Sequence, residues 1–166
     1  MNDKKLIPEI VQLSAKTLVG KRLKMSFSEN RTVDLWRSFM PRLKEINKRV
    51  SRDLFSMQLF GELPDFSKFN PDLMFEKWAA AEVSELENTP DGMEVFYLES
   101  GLYAVFAYKG AVSEAAVFFQ YIFGTWLPGS EYALDNRPHF ELLGEKYNNN
   151  SADSEENIFI PIKKRE

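Results

Sequence analysis

Residues 75–83 read FEKWAAAEV. Strand alternation sends Glu76, Trp78, Ala80 and Glu82 to one face, with Ala80 leaving room for a cavity between larger groups. The preceding stretch, GELPDFSKFNPDL, is dense in Gly, Pro, Asp and Asn and reads as a loop over 61–74. Further upstream, 9–27 and 53–60 carry apolar residues at mainly odd spacings and read as strands. Between them Trp36, Phe39, Met40, Leu43, Ile46 and Val50 follow three- and four-residue steps, which predicts a helix from Thr32 that Pro41 should kink. The order is β-α-β-β.

The segment ENTPDGM at 87–93 has turn chemistry and reads as a linker. After it the order repeats: strands at 94–99 and 102–108, a helix at 113–126, and strands at 139–147 and 157–163 around the polar NNNSADSEE. The expected fold is therefore α+β, with duplicated β-α-β-β units (about 6–86 and 93–166) related by a pseudo-twofold axis in a single domain. Antiparallel sheets and a ligand cleft between the halves complete the expectation. The second helix has one apolar stripe at Phe119, Ile122, Phe123 and Trp126 and another at Phe118 and Tyr121, so more than one of its sides must be covered. Pro161 is expected at an edge, or with its missing N–H turned away from a partner strand.

Composition narrows the function. The net charge is −4 and basic residues are scattered, which argues against direct nucleic-acid binding. The absence of cysteine removes disulfides, thiolate catalysis and Cys-based metal sites. No window is long and apolar enough to span a bilayer and the N-terminus lacks a signal-peptide pattern, so a cytoplasmic protein is expected. Glycine spacing fits neither a phosphate loop nor a dinucleotide fingerprint, and no metal or cofactor is expected. His139 is the sole histidine and lacks a nucleophile context, so it reads as a strand-entry residue after Pro138.

What remains is carboxylates among rings. In 139–147, Phe140 and Leu142 share one face, and Glu141, Leu143 and Glu145 the other. A carboxylate in an apolar strand either faces solvent, pairs with a structural cation, or serves a ligand or a proton transfer. Ring faces around a negative charge suit a lipophilic cation. Trp78, Tyr103, Phe118, Tyr121 and Trp126 are the candidate rings, since 14 Phe and an aromatic content of 14% exceed what a core of this size needs.

FEKWAAAEV, GLYAVFAYKG, the helix running into TWLPGSEYALDNRPHFELLGEKY, and IFIPIKK together resemble the GyrI-like effector-binding domain of AraC-type and MerR-type activators, over almost the whole chain. The resemblance implies a pocket Glu on the strand after the W-L-P-x-S-x-Y segment, here Glu141. It also implies Trp78 bordering the cleft, Tyr103 and Trp126 as wall residues, and Glu82 as a second acid. The chain leaves no segment for the helix-turn-helix of those activators, so a stand-alone form is expected.

Three functions follow. The first is a small-molecule binder that senses or sequesters lipophilic, in particular cationic, compounds. The second is a cofactor-independent hydrolase of reactive electrophiles such as cyclopropane-bearing genotoxins, with Glu141 paired to Tyr103 or Tyr121. The third is an interaction protein like the family's gyrase-inhibiting namesake. A homodimer through the second helix, or a separate regulatory protein, is left open as a partner.

Overall fold

The computed structural model describes residues 7–66, 68, 70–111, 114–144 and 155–166. Its strands are β1 (Glu9–Leu13), β2 (Lys16–Met25), β3 (Leu54–Leu59), β4 (Phe75–Val83), β5 (Glu94–Leu98), β6 (Gly101–Lys109), β7 (Tyr132–Leu134), β8 (His139–Leu143) and β9 (Glu155–Lys164). Helix α1 spans Thr32–Phe39, and α2 spans Ala115–Tyr121 before widening into a π-helical turn, Ile122–Trp126. The strands form an antiparallel sheet in the order β1-β6-β9-β8-β3-β4-β2-β5, with β7 paired to the end of β9.

That order forces curvature. β1 and β2 stand six places apart, about 29 Å in a flat sheet, yet only Ser14 and Ala15 join them, a span of about 11 Å at most. β5 and β6, joined by Glu99 and Ser100, make the same demand from the other edge. The sheet therefore bends into a deep U without closing into a barrel. Its concave side holds Leu18, Phe55, Met57, Trp78, Ala80, Leu98, Tyr103 and Phe140. On the convex side α1 covers Val19, Ala79, Ala81 and Val83, while α2 covers Ala104, Phe106, Ile158 and Ile160.

The two halves correspond by register. β1 opens at Glu9 and β5 at Glu94, an offset of 85. The same offset carries β2 onto β6, with Leu23 matching Tyr108 and their respective partners Lys77 and Glu156 matching each other. It also carries β3 onto β8, so that Ser56 matches Glu141, its own partner across the axis. Each half is thus β-β-α-β-β with its first strand crossed over to the other half. The expected single strand over 9–27 is broken at Ser14–Ala15, because only a break lets β1 leave for β6.

Other boundaries differ for physical reasons. The first helix does not continue to Val50. Pro41 lacks the N–H that would bond the Arg37 carbonyl, the chain tightens into a 3-10 turn over Met40–Glu45, and Lys48 at φ 63° ends the run. Residues 48–50 instead bond the end of β4 through Ser84 N–H to Lys48 O and Val50 N–H to Glu82 O, both at 2.9 Å. β7 was not expected from the sequence. β8 ends at Leu143 rather than 147, and Glu145 lies outside the described residues. Pro161 sits inside the sheet where β9 exchanges β8 for β7, so its missing donor falls at the seam.

Candidate functional site

The convex faces of β3 and β8 meet between the two helix-covered regions, on the axis relating the halves. Their residues there include Ser56, Gln58, His139 and Glu141, polar groups in positions where a continuous core would be apolar. Gln58 lies opposite both Lys77 on β4 and His139 on β8. The next row across the sheet is Ala79, Ser56, Glu141 and Ile158. Ala79 and Ser56 are small and keep the floor beside Glu141 low. The Glu141 carboxylate accepts a hydrogen bond from Gln58 Nε2 at 3.1 Å and is half-buried.

Aromatic rings roof one end. Phe66 of the 61–74 loop stacks on Phe123 of the π-helical turn at 4.6 Å and also meets Phe60 and His139. Phe60 and Phe123 contact the same imidazole, at 5.2 and 6.2 Å. Phe119 lies over Phe123 nearly parallel, 11° between planes. Inside this nest burial, followed by the charge of Arg137, pushes the His139 pKa down to about 3, and Nε2 has no hydrogen-bond partner among the described residues. His139 is a neutral wall residue near pH 7.

Two further charged groups face this side. Lys77 is 8% exposed, and burial pushes its ammonium below the usual lysine range, against the pull of Glu141 and Glu156. Among the described residues no carboxylate lies within 4 Å of its amine; the ion pairs are elsewhere. Burial, then repulsion by Glu141, pushes the Glu156 carboxyl up to about 7, with Lys77 opposing. Glu141, Glu156 and Lys77 thus form one electrostatic group, and two of its three members escaped the sequence reading. Lys77 lies between Glu76 and Trp78 on the opposite face of β4, and Glu156 ends the polar NNNSADSEE, which reads as a loop.

The structure divides the sequence candidates between two faces. Trp78, 4% exposed, and Tyr103, fully buried, belong to the concave core, opposite Glu141. The Trp78 indole donates to Glu76 Oε1 at 2.7 Å, and the Tyr103 hydroxyl donates to Pro138 O at 2.9 Å with Arg137 over its ring. Burial pushes the Tyr103 phenol up to about 12. The anticipated Glu141–Tyr103 pairing is therefore not assembled, because the sheet stands between them. Glu82 is on the Trp78 face and pairs with Lys16 at 3.5 Å. On the helix side Phe118 and Trp126 pack edge-on against Phe106, and Tyr121 packs beside Phe118, towards β6. The helix face turned to Glu141's strand is instead that of Phe119 and Phe123. A separate depression of about 230 Å³ beside α1, lined by Lys21, Arg22, Arg31 and Asp34, is basic and apart from these rings.

Among the described residues no three His, Asp or Glu are placed to hold a metal ion, and no helix is long and apolar enough to cross a membrane.

GyrI-like small molecule binding domains match residues 7–163 of the chain. No curated protein matches. Solved structures do. The C-terminal domain of EcmrR superposes with a TM-score of 0.71 at 13% identity, covering 95% of this chain and 97% of that one. SAV2435, bound to tetraphenylphosphonium, gives 0.66 at 18%, covering 94% and 93%. A hydrolase from Listeria innocua gives 0.61 at 11%, covering 95% and 92%. At these identities the likeness is one of fold.

Proposed function

The chain belongs to the GyrI-like small-molecule-binding family, and from that premise we propose that it binds lipophilic organic cations between its two halves, as a sensor or sequestering protein. The observation that carries this reading is the half-buried Glu141 carboxylate at the centre of the convex sheet face, tethered by Gln58 and adjoining a nest of Phe60, Phe66, Phe119 and Phe123. A carboxylate shielded from water attracts a cation more strongly than one in bulk solvent, and ring faces add cation–π attraction. The apolar remainder of such a ligand replaces water against the rings. The neighbour seen with tetraphenylphosphonium supports the class of ligand.

Calorimetric titration with tetraphenylphosphonium tests the proposal. Saturable binding to the wild type, weakened about tenfold or more in Glu141→Gln, is expected from loss of one partly desolvated charge pair. Absence of binding to the wild type, or equal binding to both proteins, would overturn it.

A further inference from the structure

We propose that Lys77 makes this cleft selective for amphoteric ligands: lipophilic cations that also carry a carboxylate or comparable anionic group. The inference rests on the cleft's being the ligand site and adds a second recognition element to it.

Lys77 and Glu156 occupy equivalent places in the two halves, since Lys77 partners Leu23 on β2 and Glu156 partners Tyr108 on β6. They flank the Ser56–Glu141 pair from opposite sides of the axis. A symmetric scaffold thus presents an asymmetric floor, with an ammonium on one flank and carboxylates at the centre and the other flank.

Lys77 is also buried, and among the described residues no carboxylate closes to within 4 Å of its amine. The residue as a whole is only 8% exposed and burial pushes its ammonium below the usual lysine range, so its charge is held largely away from bulk water, which is costly unless another group replaces that hydration. A structural ion pair would have closed to within 4 Å of a carboxylate, but the attraction of Lys77 to Glu141 and Glu156 acts over a longer range. That gap between unlike charges is where a ligand's own charges fit: its cation towards Glu141 and Glu156, its anion towards Lys77. The fold has already desolvated the lysine, so a ligand anion gains a donor without that cost. A ligand bearing only a positive charge is drawn by the carboxylates and repelled by Lys77.

The test uses (4-carboxybutyl)triphenylphosphonium and its methyl ester, which share one aromatic cation and differ in the anion, with the full chain in calorimetry. The wild type should bind the acid more tightly than the ester by about fivefold or more, a comparison that needs no variant. Lys77→Met should abolish that preference, weakening the acid while leaving the ester unchanged or tighter. A wild-type preference for the ester, or an equal change for both probes in Lys77→Met, would overturn the proposal. If neither probe nor tetraphenylphosphonium binds the wild type, the reading of the cleft fails and the inference with it. If the probes bind with Glu141-dependent affinity but without acid–ester discrimination, the inference alone fails.

Discussion

Glu156 gives the sharpest quantitative prediction. Its carboxyl is raised from 4.5 to about 7 by burial and by Glu141, with Lys77 opposing. The folded state therefore holds this proton more tightly than the unfolded chain. Its stabilising effect is fully present below about pH 4.5 and is lost as pH rises to about 7. The interval corresponds to roughly 3.4 kcal/mol at 1.36 kcal/mol per pH unit; because solvent reaches the half-buried side chain, about 2 kcal/mol is expected. Glu156→Gln removes the titration. Urea denaturation between about pH 4.5 and 8.5 should show the variant level with the wild type at the acid end and about 2 kcal/mol more stable at the alkaline end. The wild-type profile alone would mislead, since His139 contributes the opposite slope over an overlapping range. The difference between the two proteins isolates Glu156. A gain that does not vary with pH, or a variant less stable at pH 8, would refute the reasoning.

His139, depressed to about 3, must take up a proton on unfolding, so its contribution is present above about pH 6.5 and is lost as pH falls towards 3. His139→Gln should remove an acid slope worth on the order of 4 kcal/mol, read from the same denaturation series. Gly20→Ala would drive a Cβ into the Ala79 carbonyl oxygen and to 2.6 Å from the Ala80 Cα, both backbone atoms. A loss of at least about 2 kcal/mol in thermal or urea unfolding is expected, and an unchanged midpoint would contradict the packing. Tyr103→Phe removes the hydroxyl donated to Pro138 and should cost about 1 kcal/mol. Its tetraphenylphosphonium affinity should equal the wild type's, because the ring lies behind the sheet; a clear loss of affinity would place the site on the wrong face.

Much of the fold was legible because hydrophobic period and turn chemistry are local. Alternation located β4 and β8, and the repeated order of elements revealed the duplication. The crossed first strands were not legible. Nothing local in EIVQL or EVFYL says that the pairing partner belongs to the other half, and that pairing bends the sheet. The site was half legible for the same reason. Alternation separates the faces of one strand but does not match faces between strands, so Trp78 and Tyr103 were grouped with Glu141 although the register places them behind it. Glu141 itself was found as a charge interrupting an apolar run. Phe60 and Phe66 carried no signal of their own, since a ring in a polar loop is recognisable as a wall only once the loop is seen folded against His139.

A signal for the remaining site residues does exist in the chain, in the comparison of its halves. Some positions on the convex face keep their character in both halves: Val19 matches Ala104 and Ala81 matches Ile160, each apolar beneath a helix, although Lys21 matches the buried Phe106. Along the convex face near the axis the correspondence breaks. Ser56 faces Glu141, Lys77 matches Glu156, and Leu54 matches His139. Packing alone gives no reason for equivalent places in two halves of one sheet to carry opposite charges, since both lie in the same backbone geometry. A ligand spanning the axis does give one, because an unsymmetrical molecule needs different groups at its two ends. Near the axis this divergence replaces a symmetric floor with an asymmetric one, as the proposed binding of an unsymmetrical cation beside Glu141, Glu156 and Lys77 requires.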